Sequence, residues 1–150
     1  MVNFGDTMTT ILADLKLGLM VADSSITDDD RIWFGQKVYR HKGFLLGFAG
    51  NVDESIEFLS WWKVGKRGKN PRFSNSEVLV MGAGALVYYS KSLIPMPISR
   101  GIEAIGTGGK AAICTYEALG WVNPVKAVKL VCKHDAGSRP PVRTYKLKGS

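Results

Sequence analysis

The chain has 150 residues, 45 % of them hydrophobic, which suits one globular domain with its own core. Its formal net charge is +7, from 20 Lys and Arg against 13 Asp and Glu. No apolar run is long enough to cross a bilayer, and residues 1–8 lack the basic start and apolar centre of a secretion signal, so the expectation is a soluble cytoplasmic protein.

Residues 1–8 show no periodicity and read as a leader to a domain spanning 9–150. Residues 9–15 alternate as a strand does, and Lys16-Leu17-Gly18 marks a turn. Leu19-Met20-Val21-Ala22 completes a hairpin with a short buried strand that delivers Asp23. Asp28-Asp29-Asp30 reads as a turn, and residues 31–40 as strand with Lys37 at its centre. After His41-Lys42-Gly43, residues 44–50 form a buried strand whose side chains vanish at Gly47 and Gly50, a mark of close backbone approach.

Asn51 caps a helix, with Glu54 three residues on and Asp53 adding negative charge to its first turn. Val52, Ile56, Leu59 and Trp62 or Lys63 supply its expected apolar stripe, and Gly65 ends it. Residues 66–76 are polar, with Gly and Pro, and read as a loop. Residues 78–81 and 85–89 make a hairpin around Gly82-Ala83-Gly84. Residues 90–100 look irregular, with Pro95 and Pro97. Residues 102–105 form a short strand before Gly106-Thr107-Gly108-Gly109, and a helix follows to about Leu119. Pro124 opens another helix, with Val125, Val128, Leu130 and Val131 on its apolar side. Asp135-Ala136-Gly137-Ser138 is a turn, and residues 142–147 are a final strand. Hairpins grouped beside helices predict an α+β fold with antiparallel sheets.

Three features bear on chemistry. Cys114 and Cys132 fall in separate helical patterns and read as buried free thiols, while His41 and His134 stand alone, so neither a metal site nor a cofactor is expected. Basic residues concentrate in Lys63-Val64-Gly65-Lys66-Arg67-Gly68-Lys69 with Arg72, and again from Lys133 to Lys148. No helix-turn-helix, zinc or RNA-platform motif accompanies them, which disfavours nucleic acid; an acidic protein partner fits equally well. Lastly, Met8 stands before Thr9-Thr10. A Thr that begins a chain carries both a nucleophile, Oγ1, and a base, its α-amine, with a pKa of about 7.7–8.

From Thr9 onward the chain resembles the proteasome β subunits, especially the bacterial HslV peptidase. The matching pieces are Thr9-Thr10-Ile11, Ala22-Asp23 followed by Thr27, Lys37-Val38, Gly47-Phe48-Ala49-Gly50, Ala104-Ile105-Gly106-Thr107-Gly108-Gly109, and Asp135 with Ser138. The resemblance implies the N-terminal nucleophile hydrolase fold, a four-layer sandwich of two antiparallel sheets with helices outside. It further implies that Thr9 attacks the scissile carbonyl, that Lys37 stands beside it as an ammonium paired with Asp23, and that Gly47 donates its N–H to the oxyanion. Thr107, Asp135 and Ser138 would steady the Thr9 amine; the family usually has Ser where Thr107 stands. Thr27 would line the substrate groove, and Ile26, Gly35, Leu45 and Ala49 the specificity pocket. Peptide or unfolded protein is the implied substrate, a homo-oligomeric ring the implied assembly, and an ATP-dependent unfoldase the implied partner.

Two features depart from the family. Residues 66–76 leave no room for the second long helix that usually follows the first, and residues 1–8 precede Thr9. Beside an active threonine peptidase stand two alternatives: a non-catalytic structural or assembly subunit, unprocessed at its N-terminus, and a small-amide hydrolase on the same fold. A compact version like this also suits a phage or mobile element, and thus a virion.

Overall fold

The computed structural model describes residues 9–28, 31–34, 37–134 and 140–148, with only the backbone for 25–28 and 31–34. Two antiparallel sheets face one another. The first has the order β10-β1-β2-β11, built from β1 (Ile11–Asp14), β2 (Leu19–Ala22), β10 (Ile102–Ile105) and β11 (Arg143–Lys146). The second runs β5-β6-β7-β8-β9, from β5 (Val38–His41), β6 (Phe44–Ala49), β7 (Glu77–Gly82), β8 (Ala85–Tyr89) and the two-residue β9 (Met96–Pro97). A separate hairpin pairs β3 (Ser25–Asp28) with β4 (Arg31–Phe34).

The alternation of each strand sorts its side chains between two cores. Ile11, Ala13, Met20 and Ala22 of the first sheet meet Val38, Leu45, Leu79 and Met81 of the second in a fully apolar interior. The opposite faces are covered by helices. Leu46, Phe48, Val78 and Val80 pack under α1 (Val52–Lys63) through Phe58, which touches Trp61, Phe73 and Tyr89 edge-on or tilted. Leu12 and Val21 pack under α2 (Gly109–Ala118) and α3 (Pro124–His134) through Tyr116, Ala127 and Val128. The layers are therefore helix, sheet, sheet, helices.

Several expectations need correction. Lys37 is not central to a strand: β4 and β5 belong to separate sheets, and Lys37 sits just before β5. The buried face of α1 carries Glu54 and Phe58, whereas Ile56 is 56 % exposed, because the aromatic residues set the phase of packing. Cys114 is exposed and Cys132 half-buried. Helix α2 turns Gly109, Ala112 and Tyr116 inward, and Cys114 falls on the other side. Within residues 90–100, Met96 and Pro97 pair with β8.

Candidate active site

Three strand ends converge on one place. Thr9 precedes β1, Asp23 follows β2, and Lys37 precedes β5. The β1–β2 register, with Ile11 opposite Ala22, puts Thr10 beside Asp23. The Thr10 N–H donates to Asp23 Oδ1 at 3.0 Å, and the Asp23 N–H donates to the Thr10 carbonyl at 3.2 Å. Lys37 reaches the same carboxylate oxygen from the opposite sheet, Nζ to Oδ1 2.9 Å. The Phe48 N–H holds the Lys37 carbonyl at 2.9 Å. The side chains of Lys37 and Asp23 are 2 % and 0 % exposed, so this ion pair ties the two sheets together out of contact with water.

Burial pushes the Lys37 ammonium below its ordinary pKa of 10.5, and the charge and hydrogen bond of Asp23 work in the opposite direction. A cation poised in this way lowers the cost of negative charge forming beside it. Thr9 is wholly buried, and its Oγ1 has no hydrogen-bond partner among the described residues. A buried hydroxyl left unpaired costs about 1–3 kcal/mol. The Thr9 carbonyl is occupied, accepting the Gly108 N–H at 3.2 Å. Gly106 has φ +90°, and a Cβ there would run into that same carbonyl. The 106–109 turn thus wraps the backbone of Thr9 while leaving its hydroxyl unused. A further cavity of about 480 Å³ lies beyond Gly106, where Glu77 accepts from Tyr88 Oη at 2.6 Å.

The architecture matches solved structures closely. HslV from Trypanosoma brucei superposes with a TM-score of 0.72 at 20 % identity, covering 91 % of this chain and 98 % of that one. BPH from Thiobacillus denitrificans gives 0.69 at 13 % identity over 95 % of this chain and all of its own. The same BPH in complex with epoxomicin gives 0.66 at 13 % identity, covering 93 % and 99 %. The chain has the N-terminal nucleophile hydrolase fold. Neither a family sequence model nor a curated protein sequence matches it.

On this fold the expected residues are distributed unevenly. Asp23 and Lys37 pair, and Thr9 stands one residue before the Thr10 N–H that binds Asp23. Gly47 lies opposite Val38 and Leu79, where a Cβ would stand 3.1 Å from Met20 Sδ and 3.2 Å from Ile11 Cγ2. Its missing side chain lets the sheets close over Met20 and Ile11, and because the Phe48 N–H turns to β5, the Gly47 N–H, expected to face an oxyanion, turns to Leu79 of β7. Leu45 and Ala49 are buried in the inter-sheet core. Thr107 is exposed in the turn between Gly106 and Gly108. Ile26 and Thr27 lie on β3, described as backbone; Gly35, Asp135 and Ser138 lie outside the described residues, as do residues 1–8.

Two contacts escaped the sequence. Thr10 donates through its backbone to Asp23, which the β1–β2 hairpin register alone would have placed. Ser24 Oγ donates to the Pro141 carbonyl at 2.5 Å, joining the segment after β2 to the approach of β11, and no local pattern announces it. Among the described residues, no group of three or more His, Cys, Asp and Glu side chains is placed to hold a metal.

Proposed function

We propose that this chain is a threonine-type N-terminal nucleophile peptidase once Thr9 is the first residue. The observation that carries this reading is a buried Lys37–Asp23 pair, hydrogen-bonded to the backbone of Thr10, next in the chain to a buried Thr9 hydroxyl that has no partner among the described residues. In this reading the free α-amine of Thr9 takes the Oγ1 proton and Oγ1 attacks the scissile carbonyl. Lys37 stabilises the developing negative charge. The amine then passes the proton to the leaving nitrogen as the peptide bond breaks, leaving an ester on Thr9. Water, deprotonated by the same amine, cleaves that ester.

Asp135, Ser138 and Thr107 would steady the amine, Thr27 would hold the substrate backbone, and Ile26 and Gly35 would favour apolar side chains, whereas Leu45 and Ala49, expected in the same pocket, pack into the inter-sheet core. Peptide or unfolded protein is the proposed substrate, in the cytoplasm. A ring of copies is the proposed assembly, in keeping with the HslV-like fold, and an ATP-dependent unfoldase its proposed partner. A non-catalytic assembly subunit is the second reading, favoured by residues 66–76, which form a loop with no helix.

The test compares the full chain with one starting at Met8, each treated with a threonine-directed electrophile and weighed intact. With residues 1–8 attached, the Thr9 nitrogen is an amide and has no basic lone pair, so no label is expected. The Met8 version should lose its methionine in the cell, begin at Thr9 and take up one label on that residue. A folded protein beginning at Thr9 that takes no label would establish the non-catalytic reading instead.

A further inference from the structure

One strand length away from the site lies a second feature. Strand β5 leaves the site at Lys37 and ends at the His41–Lys42 turn, roughly 16 Å away at the rise of an extended chain. There it meets the C-terminal end of α1. His41, Lys42, Lys63, Lys66 and Arg67 surround a groove of about 350 Å³ that no carboxylate lines. A neighbouring groove of about 510 Å³ shares Val64 and Arg67 with it and adds Lys69 and Arg72. Its one acid, Glu57, is already paired with Arg72 at 2.7 Å.

Two of these cations are held in place. The Lys66 ammonium lies 5.2 Å over the Trp62 ring and 3.3 Å from Tyr89 Oη, and its backbone sits at φ 61°. Arg67 Nε donates to the Val64 carbonyl at 2.9 Å. Fixed cations lose little conformational freedom when an anion arrives.

We propose that this double groove docks an acidic polypeptide segment in which apolar residues are interspersed among the Asp and Glu. Its carboxylates would sit on Lys66, Arg67 and Lys69. Its apolar side chains would cover Val64 and Ile56, which are 51 % and 56 % exposed between the cations. A nucleic acid fits less well. Bases need open aromatic faces, and Trp62 is enclosed by the Phe44 edge at 5.4 Å, by Phe58 stacked at 6.5 Å and by the Lys66 ammonium. Phosphates also gain nothing from exposed Val and Ile. The surface stands whether or not Thr9 is a nucleophile.

The test is fluorescence anisotropy with the full chain carrying Thr9→Ala, so that cleavage of the probe cannot enter. The probes are a fluorescein-labelled peptide of alternating Glu and Leu, its Gln–Leu counterpart, and an oligothymidylate. The Glu–Leu peptide should bind, and more weakly as salt is raised. Arg67→Glu with Lys69→Glu should weaken it roughly ten-fold, the equivalent of about two surface ion pairs. Lys126→Glu with Lys129→Glu, an equal charge change on exposed positions of α3, should leave it unaltered. Val64→Ser should weaken it several-fold. The proposal is overturned if the Glu–Leu peptide fails to bind or ignores the groove reversal. Equal losses from the α3 pair, equal binding of the Gln–Leu peptide, or tighter binding of the oligothymidylate would overturn it too.

Discussion

Thr9 combines full burial with a hydroxyl that has no partner among the described residues. A residue kept for packing alone would do better with a methyl in that place. Thr9→Val keeps the shape and removes the oxygen, so its stability should match or exceed that of the native chain by up to about 1 kcal/mol. Covalent labelling of the Thr9-initiated protein should vanish. Denaturant melts and intact mass read the two effects separately. A marked loss of stability in Thr9→Val would mean that the hydroxyl serves the fold. At this scale the sequence is most informative where chemistry restricts the residue: order along the chain singles out Thr9, Asp23 and Lys37, and the structure joins Asp23 to Lys37 and to the backbone of Thr10. Burial of single residues was less readable. Cys114 proved exposed because one position on a helix decides its environment, and α2 is anchored by Ala112 and Tyr116 instead.

At the scale of elements, strands were readable wherever alternation or turn residues marked them. The two-residue β9 carries neither signal, and an edge pairing that includes Pro97 leaves no periodicity to find. Helix α1 shows the opposite difficulty. Its apolar residues spread over more than one stripe, and the expected one through Ile56 leaves out the buried Phe58. A charged residue, Glu54, occupies the buried face. Its carboxylate accepts from Ser76 Oγ at 2.8 Å, Ser74 Oγ at 2.9 Å and the Asn75 N–H at 3.1 Å, and so pins the end of the 66–76 loop to the first turn of α1. Burial raises its pKa, but these hydrogen bonds outweigh burial and the net shift is downward from 4.5. A carboxylate with a lowered pKa stabilises the fold fully above its unfolded value and loses that contribution as pH falls through the folded value. Glu54→Ala should therefore cost about 1–3 kcal/mol at neutral pH, by stranding the Ser76 and Asn75 donors. The gap between variant and native melting curves should narrow well below pH 4.5. A gap independent of pH would assign the loss to packing.

Across the whole molecule, the Lys37–Asp23 pair is a buried polar link between two sheets whose shared core is apolar. A buried ion pair is a weak source of stability, because desolvation offsets most of the attraction, whereas removing one partner is severe. Asp23→Asn keeps an oxygen for the Thr10 N–H but deprives Lys37 of its countercharge. A loss of about 3–5 kcal/mol is expected at neutral pH. Burial already lowers the Lys37 pKa, and Asp23 is the group that raises it back, so in the variant Lys37 should be driven toward its neutral form. Below 10.5 the unfolded chain binds this proton more readily than the folded one, so raising pH should restore stability to the variant, by up to about 1.4 kcal/mol per unit. Adding Lys37→Met should recover most of the loss at every pH, because no charge then remains to be stranded. If the pair exists for chemistry, this restored double variant, started at Thr9, should fold and yet take no electrophile. Denaturant titrations across pH, followed by labelling of the double variant, separate the roles: a double variant as unstable as Asp23→Asn would make the pair a structural clamp, and a labelled one would remove Lys37 from the mechanism.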